Sequence, residues 1–190
     1  MHVICYGDSN TYGFDPRSWL GGRYPASDRW TDILAAQAGW TVCKEGINGR
    51  EIPSGLVRFS VVPDMLIVML GTNDLLQGCT AQQAADRMGG FLRSLTMEKS
   101  RILLIAPPPM QFGEWVAKQR LIDESIRLAD TYKTLASGLD VRFLNAGKWG
   151  VSLAYDGVHF TEQGHKAFAD GLLAELALYN PSVPGYDNQK

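Results

Sequence analysis

Short apolar runs rich in β-branched residues alternate along this chain with longer stretches in which apolar residues recur every three or four positions. The runs His2 to Tyr6, Thr41 to Glu45, Met65 to Leu70, Arg101 to Ala106 and Val141 to Leu144 read as strands. Several are apolar at consecutive positions, the pattern of strands buried on both faces. Thr80 and Gln83 have the spacing of a capping box, and Ala84, Met88, Phe91, Leu92 and Leu95 then fall on one helical face. Ile122, Ile126, Ala129, Tyr132 and Ala136 repeat that stripe, as do Phe168, Leu172, Leu176 and Tyr179. Such stripes are core faces. Strand-helix alternation with short connections predicts an α/β fold, a three-layer α/β/α sandwich around a five-stranded parallel sheet with flavodoxin-like strand order. A single domain is expected over residues 1–180, with 181–190 a loosely docked tail, because no repeat or low-complexity linker divides the chain.

In such a sheet, ligands bind beyond the carboxyl ends of the strands. Polar clusters stand at those ends: Gly7 to Asn10 after the first strand, Gly46 to Arg50 after the second, Gly71 to Asp74 after the third. These loops are expected to meet in one crevice, with Pro107, Pro108 and Pro109 as a rigid wall or a turn. One long irregular stretch is expected, from Phe14 to Ser27. Its Trp19 and Tyr24, together with Phe112 and Trp115, are candidates to line a small apolar or aryl pocket.

Composition narrows the partners. Eighteen basic residues against 20 acidic ones give a net charge of -2, which offers no electrostatic footprint for nucleic acid. The longest uninterrupted apolar run, Met65 to Leu70, is far shorter than the roughly 20 residues needed to span a bilayer. Three scattered cysteines, Cys5, Cys43 and Cys79, suit neither a disulfide framework nor a paired-cysteine metal motif. With a polar turn following the opening strand where a signal peptide would need its apolar stretch, a reducing, cytoplasmic location is expected.

Of the three histidines, His2 begins the first strand, remote from its carboxyl end, and His165, in the opening turn of the last helix, is expected at the surface. His159 follows Asp156-Gly157-Val158, so a carboxylate stands where it can accept the imidazole Nδ1 proton while Nε2 points outward. Alone, this pair also suits an ordinary turn. A nucleophilic serine needs such a base, an orienting acid and donors for the oxyanion that forms on attack at an ester carbonyl. Ser9 sits where a strand turns into a helix, Gly49 can present a bare backbone N–H, and Asn73 offers a neutral amide donor.

Gly7-Asp8-Ser9, Gly49, Gly71-Thr72-Asn73-Asp74 and Asp156-x-x-His159 together resemble the four sequence blocks of the SGNH hydrolase superfamily, the GDSL-type esterases and lipases, in family order. The segment Gly7 to Gly13, Arg29-Trp30, Ala106 to Pro109 and Asp156 to Thr161 are similar to its arylesterase and acyltransferase branch. Asn10 stands where the name-giving leucine would be, a departure that leaves the serine untouched. The resemblance implies the flavodoxin-like SGNH hydrolase fold, Ser9 as nucleophile, His159 as base and Asp156 as its orienter. It also implies Ser9 N–H, Gly49 N–H and the Asn73 amide as oxyanion donors, with no cofactor and no metal. The implied activity is hydrolysis, or transfer, of short acyl groups of small-molecule carboxylic esters. It makes self-association an open expectation, with the loop from Phe14 to Tyr24 as the contact face. Asp8 and Asp74 are expected to fix loops by accepting backbone hydrogen bonds. Two readings compete: a metal-dependent phosphoesterase using Asp8, Asp74, Asp156 and His159, and a ligand-binding module that keeps the fold without turnover.

Overall fold

Each central strand sends alternate side chains into two separate buried layers. Ile4 and Tyr6 of β1 (His2–Gly7), Leu66 and Val68 of β3 (Met65–Met69), and Ile102, Leu104 and Ala106 of β4 (Ile102–Ala106) enter one layer. Val3, Cys5, Met65, Ile67, Met69, Leu103 and Ile105 enter the other. A two-residue period divided between two apolar layers is why these runs are apolar at every position. The structure, a computed structural model, describes residues 1–18 and 20–179.

With the edge strands β2 (Thr41–Gly46) and β5 (Arg142–Asn145), the sheet has five parallel strands in the order β2-β1-β3-β4-β5. This is the expected flavodoxin-like order. The first layer is closed by α4 (Ala81–Ser94) through Ala84, Met88, Phe91 and Leu92, and by α5 (Gln119–Leu139) through Leu128, Tyr132 and Ala136. The second is closed by α2 (Trp30–Ala38) through Trp30 and Leu34, and by α6 (Glu162–Tyr179) through Phe168, Leu172 and Leu176. The capping box of α4 is formed: Gln83 N–H donates to Thr80 Oγ1 at 3.2 Å, and Thr80 N–H donates to Gln83 Oε1 at 2.9 Å. Two single-turn helices, α1 (Ser9–Tyr12) and α3 (Thr72–Leu76), follow β1 and β3. The strand order reverses between β1 and β3, so the crevice that such a reversal opens lies where those two short helices begin.

Two expectations are corrected. A second long stretch without helix or strand, residues 47–64, forms the crossover from β2 to β3. It is held by Ile52, which is buried, and by Val57 and Phe59, which pack on the first layer. Phe14 to Ser27 is itself pinned, by a Phe14–Arg23 bridge and by Asp15 N–H donating to Gly22 O at 3.0 Å. No helix of the described residues is long and apolar enough to cross a membrane. The expected tail, 181–190, lies outside the described residues.

His165, expected at the surface, is fully buried. It stands three and seven residues before Phe168 and Leu172, so the core stripe of α6 starts one turn earlier than the apolar residues alone suggest. Its Nδ1 accepts a long hydrogen bond from Trp30 N–H at 3.5 Å, and its ring lies edge-on to Tyr24 and Phe160. Burial, reinforced by the charges of Arg29 and His159, pushes its pKa down to about 3. The unfolded chain therefore takes up a proton on acidification, below about pH 6.5, that the fold refuses. The stability this residue permits is complete above that value and is lost as pH falls towards 3. His165→Asn, which keeps an acceptor for Trp30, is expected to make the slope of unfolding free energy against pH less positive by up to about 1 kcal/mol per pH unit between pH 6 and 4. Urea titrations at several pH values measure it, and equal slopes in both proteins would contradict the assignment.

Candidate active site

At the end of β1, Asp8 caps α1 by accepting Asn10 N–H on Oδ1 at 3.0 Å, which turns the chain sharply and puts Ser9 at the first helical position. There the Ser9 N–H has no carbonyl one turn earlier to bond within the helix. Burial pushes the Asp8 carboxyl up to about 6, against the pull of the Asn10 N–H and of the His159 and Arg50 charges.

Ser9 Oγ lies 3.0 Å from His159 Nε2, and His159 Nδ1 lies 2.7 Å from Asp156 Oδ2. All three residues are buried. Asp156 Oδ1 accepts two further bonds, from Val158 N–H and His159 N–H, each at 2.9 Å. Burial works to raise the Asp156 pKa, but the His159 ring and these two N–H groups together hold it below the ordinary carboxylate value. An ionised carboxylate only accepts, which assigns the proton to Nδ1 and leaves the Nε2 lone pair facing the Ser9 hydroxyl. Two aromatic rings pack against the imidazole, Phe14 with centroids 4.6 Å apart and Trp115 edge-on at 5.0 Å.

Asn73, in the first turn of α3, donates from Nδ2 to Arg50 O at 3.0 Å. That carbonyl ends the Ile47–Arg50 turn, closed by Arg50 N–H donating to Ile47 O at 3.2 Å, with Gly49 at φ +72. A positive φ at the third position of such a turn is the reason for glycine there. The turn is tied to β1 because Ile47 N–H and Arg50 Nη1 both donate to Gly7 O, at 3.2 and 3.1 Å. The Arg50 guanidinium also covers the Tyr6 ring at 4.1 Å. Arg50 ends the Gly46 to Arg50 cluster, but nothing in the sequence marks an arginine as a loop anchor.

Asp74 Oδ2 accepts Ile52 N–H at 3.0 Å and Oδ1 accepts from Arg87 at 2.6 Å, while burial raises its pKa. Asp8 and Asp74 thus accept backbone hydrogen bonds in loops, as expected. Among the described residues no three His, Cys, Asp or Glu side chains are gathered as a metal ligand set.

The pocket candidates divide. Trp115, about half exposed, stands against His159, and Phe112 is exposed on the same loop without a ring contact to the imidazole. Tyr24 is buried against His165 and beneath Arg17, which leaves it little surface for a ligand. Trp19 lies outside the described residues. A groove of about 350 Å³, lined by Leu56, Phe59, Val62, Leu95 and Met97 among others, lies beside the start of β3 and the end of α4. None of the site residues lines it.

A family model for the GDSL-like lipase/acylhydrolase family matches residues 5–167. Among solved structures, a protein from Agrobacterium tumefaciens described as an arylesterase is 30% identical, with 92% of this chain and 97% of that one covered and a TM-score of 0.75. The aryl esterase of M. smegmatis is 25% identical, covering 93% and 98%, with a TM-score of 0.75. A carbohydrate acetylesterase family member from Sinorhizobium meliloti is 26% identical, covering 93% and 97%, with a TM-score of 0.73. No curated protein sequence matches the chain.

The turn that carries Asp156 and His159 rests on the loop carrying Trp115: Gln111 N–H donates to Gly157 O at 3.0 Å, and Trp115 N–H to Asp156 O at 3.1 Å. Gly157 has φ +80, and a Cβ there would collide with the Gln111 carbonyl oxygen. Gly157→Ala is expected to lose about 2 kcal/mol or more of stability in denaturant unfolding. Wild-type stability in that variant would contradict the packing described.

Proposed function

The chain belongs to the GDSL-like lipase/acylhydrolase family, and from that membership we propose that it cleaves short-chain carboxylic esters through a Ser9–His159–Asp156 triad and a covalent acyl-enzyme. It is a carboxylic ester hydrolase; the triad, the short acyl group and the intermediate are our reading. One observation carries it, the unbroken hydrogen-bonded chain from Asp156 through His159 to Ser9.

Ser9 Oγ attacks the acyl carbonyl carbon as its proton passes to His159 Nε2. Asp156, ionised because three hydrogen bonds outweigh its burial, holds the ring in the required tautomer and stabilises the imidazolium. The negative charge that builds on the carbonyl oxygen is received by Ser9 N–H, Gly49 N–H and Asn73. The Asn73 Nδ2 has two N–H bonds, and donation to Arg50 O both orients it and leaves the second for substrate. The tetrahedral intermediate collapses, the bond to the leaving oxygen breaks, and His159 returns the proton to that oxygen. Water, or an alcohol that takes its place, then attacks the acyl carbon by the same route and frees Ser9.

A short acyl group such as acetate is favoured by the similarity to an aryl esterase and a carbohydrate acetylesterase family member. Phe14 and Trp115 both pack against the base, which suits an aryl leaving group. The triad needs no metal.

Ser9→Ala is expected to lower hydrolysis of 4-nitrophenyl acetate at least about 10⁴-fold. Asn73→Ala is expected to lower kcat about 10²- to 10³-fold with little change in KM. The wild-type rate should withstand EDTA. Steady-state assays on folded variants check all three, and near-normal turnover in either variant would remove that residue from the mechanism.

A further inference from the structure

We propose that Asn10 is a positioning residue whose side chain clamps the backbone on both sides of His159 and thereby sets the distance between the base and the nucleophile. The inference rests on the triad reading above and extends it to a position where the family's name-giving motif carries leucine.

The Asn10 side chain is buried and makes two hydrogen bonds across 148 and 150 residues of sequence. Its Nδ2 donates to Val158 O at 3.1 Å, and its Oδ1 accepts Phe160 N–H at 2.9 Å. These are the carbonyl before His159 and the amide after it. The N–H and C=O of His159 itself are bonded too: His159 N–H donates to Asp156 Oδ1 at 2.9 Å, and His159 O accepts Ala154 N–H at 2.7 Å. One amide side chain therefore completes a four-bond frame around the imidazole-bearing residue.

Asn10 is itself immobile. Its N–H donates to Asp8 Oδ1 at 3.0 Å, and its carbonyl accepts from Trp30 Nε1 at 3.0 Å. Because it is the covalent neighbour of Ser9, anything that fixes its backbone fixes the Ser9 backbone. The amide then carries that position across to His159. Through this link the 3.0 Å approach of Ser9 Oγ to His159 Nε2 is referred to a single rigid segment rather than to two independent loops. Leucine has a similar branched outline but is bulkier and provides neither bond. It would leave Val158 O and Phe160 N–H, both in buried surroundings, to find other partners by shifting the loop.

The clamp touches no substrate, so its loss should appear in the chemical step. Asn10→Leu is expected to lower kcat about 10- to 100-fold while KM stays within about 3-fold. Because Asn10 acts through His159, the same substitution in a His159→Ala background should cost nothing further. A purely structural contribution would still subtract in that background. If Asn10→Leu does not fold, Asn10→Ala, which removes the same two bonds without adding bulk, gives the same comparison. A folded Asn10 variant with kcat within about 2-fold of wild type overturns the clamp, as does an undiminished loss in the His159→Ala background. Ser9→Ala, measured alongside, keeps the two claims apart. Activity retained there removes the nucleophile reading, whereas an inactive Ser9→Ala beside a near-normal Asn10→Leu removes the clamp alone.

Discussion

The contact of Ser9 Oγ with His159 Nε2, at 3.0 Å, joins residues 150 positions apart, and the rest of the architecture can be understood as what makes it reproducible. A near-attack geometry tolerates errors well below an ångström, which no pair of free loops supplies. The parallel sheet provides one half of the solution: β1 is central, apolar on both faces, and paired with β2 and β3 along its length, so its carboxyl end is a fixed point. The other half is local. Asp156 accepts Val158 N–H and His159 N–H on Oδ1 and faces His159 Nδ1 with Oδ2, so the carboxylate and the imidazole are held as one unit.

Burial governs the electrostatics of this corner of the molecule. Asp8, Asp74 and Asp156 are all nearly inaccessible, yet they differ in outcome because they differ in partners. Three hydrogen bonds bring Asp156 below its ordinary pKa, whereas for Asp8 and Asp74 desolvation prevails. Asp8 at about 6 is tolerated because it caps the turn that exposes Ser9; its folded pKa lies above the unfolded one, so the stability it contributes is complete in acid and is lost as pH rises through about 6. Asp156 has the opposite sign, stabilising above the unfolded value and losing that contribution as pH falls. Between the unfolded carboxylate value and about pH 6 the contributions of Asp8 and His165 run in opposite senses, and below that range Asp156 and His165 both lose theirs.

Much of this was legible in the chain. The five strands lie within a residue or two of the runs read from the sequence; β1, β3 and β4, buried almost throughout, leave hardly a polar position to confuse the reading, whereas the edge strands β2 and β5 are mostly exposed or half-buried and carry polar residues. The residues of the Asp156–His159–Ser9 hydrogen-bonded chain were legible because they sit in short motifs, where local sequence and local geometry coincide. The contacts of Asn10 were not, because its side chain bonds to backbone atoms of Val158 and Phe160, and backbone atoms carry no sequence signal. His165 was misplaced since a histidine on a helix reads as polar until the stripe it heads is followed from Phe168 backwards. The 47–64 crossover escaped notice because its order comes from distant anchors, Ile52 on Asp74 and Phe59 on Tyr6, rather than from any repeating pattern of its own.

The central claim is that Ser9 is the atom source of a covalent intermediate, assembled and activated in the free protein. Intact-mass analysis after treatment with a fluorophosphonate, followed by peptide mapping, tests it most directly. The account predicts a single adduct, located on Ser9, formed in step with the loss of esterase activity. An active, unmodified protein, or an adduct on another residue, would contradict it.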